Sequence, residues 1–333
     1  MNSTLAQLKN KMTKNKRQRL FTVVVSLCLI SANTYAEDNF YPPWSHGKNN
    51  PVKQRGLEIT VPEVDNLPDI HGDPFHSELN IFLGGNYFFV MAPLVEEFVK
   101  EHPEFDGKIY YETLPPGLLY KQIEQQGVIT VGNMTWQVQA DVYAAGLRRV
   151  NQLIKDGLSS DNKAVPYVTN TLAIMVPKSN PIHITSLNDL AKPGVKLVMP
   201  NPQFEGIAQQ IEKSLVKAGG EQLKQAVYET KVSNGETILT HIHHRQTPLT
   251  LLEKKADAGV TWQSEAIFQK KIGNPIDYVM LPDQINTRAI YAATTVKGSH
   301  HLEAAQLWID FLQSQKALSI FKEYGFAAYQ QTN

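Results

Sequence analysis

The stretch that decides the fold spans residues 169–206 and reads TNTLAIMVPKSNPIHITSLNDLAKPGVKLVMPNPQFEG. It contains two apolar, β-rich runs, at residues 172–176 and 195–199, each stopped by a proline. Between them a short helix signal begins with capping residues at 185–186 and ends at a Pro-Gly pair. A long helical pattern starts near Gly206. Strand, short helix, strand, loop and helix in this order predict an α/β fold.

The loop after the second run contains Asn201, Glu205 and Gly206. In open α/β sheets ligands bind at the carboxyl ends of strands, and helix N-termini attract anions. We therefore predict that these three residues contact a ligand.

Two earlier segments repeat the pattern of strand, loop and helix. An apolar run at residues 79–83 leads into a Gly-Gly loop and a helix expected to start near Pro93, and a strand at 108–113 leads into a second loop. Glycine lets a backbone approach a ligand and direct N–H groups at it. The candidate contacts in the two loops are Gly85, Asn86, Tyr87, Pro116, Gly117 and Leu118.

Residues 128–139 separate the second helix from the next strand. This segment is either a surface hairpin or a wall over a binding cleft, and the sequence favours neither. If it is a wall, its ligand contacts are Asn133, Thr135 and Trp136.

Residues 240–245 read THIHHR and form a histidine cluster. On a strand His241 and His243 would share a face, and with His244 they are candidate ligands for a transition metal. The alternatives are an anion contact through Arg245, or a purely structural role. No HExxH or CxxC motif accompanies the cluster.

Motifs typical of enzymes are missing from the sequence. There is no G-x-S-x-G elbow and no Walker loop, and the Gly84-Gly85 pair lacks the third glycine of a dinucleotide fingerprint. We therefore predict a protein that is not an enzyme and that needs no cofactor.

Composition and the amino terminus indicate an exported globular protein. Hydrophobic residues make up 42% of the 333 residues and charged residues 19%, which is ordinary for a globular chain.

Residues 1–36 hold six basic and no acidic residues, an apolar run at 20–30, and a small-x-small site ending at Ala36. These features predict a cleaved signal peptide and a periplasmic location, the alternative being a retained membrane anchor. The remainder is mildly acidic, which gives no reason to expect nucleic acid. Cys28, the only cysteine, lies in the apolar run, so no disulfide is expected.

Residues 37–77 are rich in proline and polar residues, with one short strand expected at 57–61. The preferred interpretation is a surface extension or linker. The alternative is a docking arm, because Phe40, Tyr41 and Trp44 are costly to leave in water.

Several segments together resemble bacterial periplasmic solute-binding proteins, nearest to the molybdate and tungstate branch that serves ABC importers. They occur in the family order over residues 79–326: YKQIEQQG at 120–127, ADVYAA at 140–145, SLNDLAKPGVKLVMPNP at 186–202, DAGVTWQSEA at 257–266 and AAQLWIDFL at 304–312. The resemblance implies a two-lobed α/β fold with a two-strand hinge. It also implies a monomer that closes around a small anion and is read by a membrane ABC permease.

The chain is expected to divide into several parts, of which only the two lobes are what the resemblance implies, since the family usually lacks the extension. The expected parts are a signal peptide at 1–36, an extension at 37–77, a first lobe at 78–168 and 287–333, and a second lobe at 169–286.

Where the family usually has ligand-binding hydroxyls, this chain departs from it. Asn86 stands at the usual serine of the first loop, Pro116 and Gly117 lie in the usually serine-rich second loop, and Trp262 replaces a tyrosine. Amide, indole and backbone donors still suit an anion. The ligand is then a molybdate-like oxyanion or a small organic carboxylate. A different class, an accessory protein that binds metal or docks to a partner, remains the alternative.

Overall fold

The computed structural model describes residues 57–60, 68–131, 134–203, 205–241 and 243–331. The predicted signal peptide, Asn133 and the aromatic residues of the proposed docking arm lie outside the described residues. None of the helices in the described part is both long and apolar enough to span a bilayer.

A single twelve-stranded mixed sheet organises the described residues, in the order β1-β2-β4-β3-β7-β13-β8-β11-β9-β10, with β12 and β14 also paired to β8. A separate hairpin joins β5 and β6. The strands are β1 (Leu57–Thr60), β2 (Pro68–Gly72), β3 (Leu79–Leu83), β4 (Ile109–Glu112), β5 (Val128–Val131), β6 (Met134–Gln137), β7 (Val142–Gly146), β8 (Val165–Pro177), β9 (Leu197–Met199), β10 (Thr237–Leu239), β11 (Ala258–Trp262), β12 (Ile276–Met280), β13 (Arg288–Thr295) and β14 (Ala327–Ala328).

Helices connect these strands and cover the sheet. They are α1 (Phe88–Glu101), α2 (Pro116–Glu124), α3 (Leu147–Lys155), α4 (Gly206–Gln225), α5 (Gln246–Leu252), α6 (Gln263–Lys271), α7 (Leu302–Leu312) and α8 (Gln315–Glu323). Of the two predicted capping residues, Ser186 is the N-cap, and it forms a capping box with Asp189 at the start of a short 3-10 helix.

The strands form two groups, which we call the lobes. The first lobe comprises β1–β4, β7, β13, β14 and the beginning of β8, and its core includes Trp308 and Phe98. The second lobe comprises the remainder of β8 with β9–β12. In the first lobe β3 lies parallel to both β4 and β7, so the loops that follow these strands lie at the same edge, as predicted.

The strand β8 passes through both lobes. It pairs with β13 near Thr169 and with β11 near Ile174, so the predicted strand at residues 172–176 is the second half of one longer strand. The predicted return of the chain is confirmed at β13, which begins at Arg288 opposite Thr171.

Three local predictions are wrong. Helix α1 begins at Phe88 and places Pro93 inside it, because apolar residues such as Val90 and Met91 bury an additional turn. His241 and His243 do not lie in a strand, since β10 ends at Leu239 and α5 begins at Gln246. The end of the predicted extension is not merely draped on the surface. Its strand β2 pairs with β4, and Asp69 is fully buried.

Candidate functional site

Buried polar side chains converge where the lobes meet. The first lobe contributes the loop after β3 and Asp69 of β2, and the second lobe contributes residues 243–245 and the first turns of α4 and α6. We call this cluster the polar seam. Its members are Asp69, Gly85, Asn86, Glu205, His243, His244, Arg245, Glu265 and Tyr291.

Arg245 of the second lobe is held by groups of the first lobe. Its Nη2 donates to Asp69 Oδ1 at 2.5 Å, and its Nη1 donates to the Gly85 carbonyl at 3.4 Å. Its guanidinium lies 5.0 Å from the centre of the Phe88 ring. The side chains of Arg245 and Asp69 are 1% and 0% exposed, so the pair is shielded from water.

The surroundings of Asp69 disfavour a second negative charge. Thr113 Oγ1 donates to Asp69 Oδ1 at 3.1 Å, in addition to the Arg245 contact. Burial raises the pKa of the neighbouring Glu112 to about 7, against the lowering effect of hydrogen bonds from Tyr110 and Gln122, and the charge of Asp69 adds to the increase.

His243 is a neutral imidazole pressed against the first lobe. Burial holds its pKa well below the ordinary value, and the charges of His244 and Arg245 act in the same direction. Its Nδ1 accepts the backbone N–H of Arg245 at 3.2 Å, so the ring proton resides on Nε2. A Cβ atom at Gly85 would lie 2.9 Å from that Nε2, so glycine is required for this approach.

His244 lies between two carboxylates of the second lobe. Its Nδ1 is 3.7 Å from Glu205 Oε2, and its Nε2 is 3.5 Å from Glu265 Oε2. Glu205 Oε1 accepts from the Asn201 backbone and from Thr240 Oγ1, whereas its buried Oε2 makes no hydrogen bond. Glu265 Oε2 accepts from Thr261 Oγ1 at 2.5 Å. Both carboxylates stand at the start of a helix, where the helix dipole favours negative charge.

An uncharged network completes the seam. Asn86 Nδ2 donates to Tyr291 Oη at 2.6 Å, and the Tyr291 ring meets Trp262 edge-on at 6.1 Å between ring centres. Tyr167 Oη donates to Tyr87 Oη at 2.8 Å. Burial raises the pKa of Tyr291 above its ordinary value, so its hydroxyl keeps its proton.

The sequence-predicted contacts divide into two groups. Gly85, Asn86, Tyr87, Glu205, Arg245 and Trp262 lie in or beside the seam, and Asn201 supports Glu205 through its backbone. Gly206 is exposed at the first position of α4, and Leu118 is exposed on α2. Pro116 packs toward Gly84 and Gly117 toward Arg149, so the second loop contributes no polar side chain.

The hairpin residues lie elsewhere. Trp136 Nε1 donates to Tyr110 Oη at 3.3 Å, and Trp136 packs against the apolar cluster that contains Tyr110. Thr135 is exposed and pairs with Thr130 across the hairpin. The surface-hairpin interpretation of residues 128–139 therefore agrees with these contacts, while Asn133 is outside the described residues.

The structure does not assemble the predicted metal site. His241 is exposed, whereas His243 and His244 are buried with their ring centres 3.9 Å apart. Across the described ranges, no group of three or more histidine, cysteine or carboxylate residues is arranged to hold a metal ion. The metal alternative assumed that His241 and His243 share the face of a strand, but β10 ends at Leu239, before both of them.

Sequence reasoning missed Asp69, Glu265 and Tyr291. Asp69 lies in a segment interpreted as irregular, and Glu265 was quoted only as part of a family motif. Glu265 carries a usable signal, since it stands in the first turn of the helix after the buried strand β11. Tyr291 carries none, because its partner Asn86 is 205 residues away.

Comparison with known proteins agrees with this architecture. A family model of bacterial extracellular solute-binding proteins matches residues 79–327. A sulfate-binding protein of Synechococcus elongatus is 27% identical over 202 residues, 57% of this chain and 57% of that protein, so the chain spans little more than half its length. The molybdate-binding protein ModA of Mycobacterium tuberculosis is 24% identical over 196 residues, 58% of this chain and 68% of that protein.

Solved structures confirm the predicted two-lobed α/β fold. The sulfate-binding protein SubI of Mycobacterium tuberculosis superposes with a TM-score of 0.60 at 18% identity, covering 74% of this chain and 85% of that one. The periplasmic molybdate-binding protein of Azotobacter vinelandii gives a TM-score of 0.58 at 17% identity, covering 76% and 100%. Because the family model matches most of its length, this chain belongs to the bacterial extracellular solute-binding proteins.

Proposed function

We propose that this protein is an exported, monomeric receptor that captures a small anion between its lobes and delivers it to a membrane ABC importer. The observation that carries the proposal is the polar seam. There the Gly85–Asn86 loop of the first lobe lies against His243 and Arg245 of the second, beside the first turns of α4 and α6. Helix N-termini and backbone N–H groups attract anions, and the two lobes permit closure around a solute. The names of the sulfate- and molybdate-binding relatives support an anion as cargo.

The same proposal covers the rest of the chain. Residues 1–36 act as the export signal, cleaved near Ala36, and the lobes follow the limits predicted from the sequence except that β1 and β2 belong to the first lobe. N-terminal sequencing of the protein recovered outside the cytoplasm tests the cleavage, and an intact leader would contradict it.

A binding panel tests the receptor function. Purified protein is titrated calorimetrically with sulfate, molybdate, tungstate, phosphate and small carboxylates, and its melting temperature is measured with each. A ligand at 100 times its Kd adds about 2.7 kcal/mol, enough to raise Tm by roughly 2–4 °C. If no anion of the panel binds, the proposed function fails.

A variant locates the site. Replacing Asn86 by Ala removes the amide that joins the loop after β3 to Tyr291 of β13, so we expect at least tenfold weaker binding of whichever panel anion binds, with an unchanged fold. Asn151→Ala, an exposed asparagine on α3, is the matched control and should bind as the parent does. Equal affinity in the two variants would place the anion elsewhere.

A further inference from the structure

We propose that Asp69 makes the cleft selective for singly charged anions that carry hydrogen-bond donors. It weakens the binding of fully ionised dianions such as sulfate and molybdate. The inference rests on the proposed function and narrows its ligand. It follows from which charges in the polar seam are already balanced and which groups remain as acceptors.

Asp69 comes from outside the family domain. The family model begins at residue 79, whereas Asp69 lies on β2, which pairs with β4 at the side of the first lobe. The segment before the family domain therefore delivers a fully buried carboxylate into the seam. This gives the extension a role at the ligand site.

The carboxylate balances the guanidinium that a dianion would need. Arg245 is the only buried arginine among the described side chains. Its Nη2 is bound to Asp69, its Nη1 to the Gly85 carbonyl, and its face lies over Phe88. A solute entering the cleft therefore meets an arginine that is already neutralised and held on several sides.

The second lobe offers acceptors where a fully ionised oxyanion requires donors. Glu205 and Glu265 flank His244, and an ionised carboxylate can only accept hydrogen bonds. Glu205 Oε2 is buried without a hydrogen bond, and its side chain is 4% exposed. A solute that carries an O–H or N–H donor can satisfy this oxygen, whereas sulfate and molybdate have no donor to give.

The net charge of the seam also favours a singly charged solute over a dianion. Asp69, Glu205 and Glu265 bring three carboxylates, and Arg245 balances one of them. His243 adds no charge because its pKa is held well below the ordinary value. Among the described members of the seam the carboxylates outnumber the arginine, and like charges in a buried site repel strongly. A single negative charge on the solute minimises that repulsion.

Titrations of the parent protein give the first test. The probes are sulfate, molybdate, dihydrogen phosphate below its second ionisation, and lactate. Dihydrogen phosphate and lactate are singly charged and carry O–H donors. We expect at least one of them to bind at least tenfold tighter than both dianions. Sulfate or molybdate binding tighter than both monoanions would overturn the inference while leaving the proposed anion receptor intact.

Replacement of Asp69 gives the second test. Asp69→Asn keeps the shape but releases the charge of Arg245, so sulfate and molybdate should bind at least tenfold tighter than to the parent. Asp73→Asn, in the same segment but paired with the exposed His76, is the matched control and should leave both affinities unchanged. Sulfate and molybdate affinities no higher in Asp69→Asn than in the parent would overturn the inference.

Two further variants keep the test decisive if Asp69→Asn folds poorly. The double variant Asp69→Asn/Arg245→Met removes both charges and should bind dianions as weakly as the parent. Glu205→Gln replaces an acceptor with an amide donor and should strengthen sulfate binding several-fold. Sulfate binding that is unchanged in Glu205→Gln and tighter in the double variant would contradict the proposal. The receptor function fails only if the parent binds no anion of the full panel, and in that case gain of sulfate binding in these variants still decides the role of the charges.

Discussion

Among the residues that the structure describes, two ion pairs join the lobes, and they differ in burial and in geometry. Arg245 and Asp69 meet at 2.5 Å with side chains 1% and 0% exposed. Lys271 of α6 and Glu323 of α8 meet at 3.1 Å with side chains 45% and 66% exposed. Lys271 also lies 4.3 Å from the centre of the Tyr324 ring. Both pairs connect the same two lobes, one of them buried and the other exposed to solvent.

The difference shows which contact the fold depends on. An exposed pair exchanges its partner for water at little cost, and such pairs contribute about 0–1 kcal/mol. A buried pair has lost its water, so removing one partner leaves an uncompensated charge and costs about 3–5 kcal/mol. The buried pair therefore holds a defined arrangement, while the exposed pair can open freely when the lobes move. Four predictions follow this contrast, from the largest expected effect to the smallest.

Replacing Arg245 with Met should produce the largest loss. Asp69 would remain buried without its guanidinium, so the free energy of unfolding should fall by about 3–5 kcal/mol in urea denaturation. Arg148→Met, at an exposed position of α3, is the control and should stay within about 0.5 kcal/mol of the parent. A loss below about 1 kcal/mol in Arg245→Met would mean that burial does not distinguish the two pairs.

Glu112, beside the buried pair, should give the protein a pH dependence. Burial raises the pKa of its carboxyl from 4.5 to about 7 in the folded state. The folded state therefore holds this proton more tightly than the unfolded state, and the contribution to stability is present below pH 4.5 and lost as pH rises to about 7. The loss should be about 3 kcal/mol.

A substitution isolates this contribution. Glu112→Gln cannot titrate and can still accept from Tyr110, so its unfolding free energy should fall less than that of the parent as the pH is raised. Urea denaturation of both proteins across this pH range measures the difference. If the unfolding free energies of the parent and of Glu112→Gln changed in parallel with pH, burial would not disfavour the charged form of Glu112.

Tyr291→Phe tests the uncharged part of the seam. The change removes the oxygen that accepts from Asn86 and leaves a buried amide unsatisfied, so we expect a loss of about 1–3 kcal/mol in unfolding free energy. Tyr324→Phe, at a half-buried ring, is the comparison and should cost less. Equal losses would indicate that the Asn86–Tyr291 bond adds nothing beyond ring packing.

Lys271→Met should have the smallest effect. It removes the exposed pair with Glu323 and the contact with Tyr324, and the unfolding free energy should change by less than about 1 kcal/mol. The same urea titration measures it. A loss of unfolding free energy as large as in Arg245→Met would contradict the contrast, because an exposed pair between the lobes would then contribute as much as a buried one.

Local patterns predicted much of this architecture. The strand β3, the N-cap at Ser186 and the start of α4 at Gly206 were all readable from short windows of sequence. These features succeed because apolar periodicity, caps and prolines act over a few residues. The arrangement of the histidine cluster was not readable in this way, because His243 packs against Gly85, which is distant in the sequence.

The sequence by itself determined the α/β fold class, the family and the loops where a solute is expected to bind. What only the tertiary structure decided is the electrostatic character of those loops. The sequence predicts Arg245 as a candidate anion contact. In the folded chain its positive charge is balanced by Asp69, which is 176 residues away. The physical reason is that hydrophobic periodicity is a local property, whereas the charge of a buried site is a sum over residues that only the completed fold brings together.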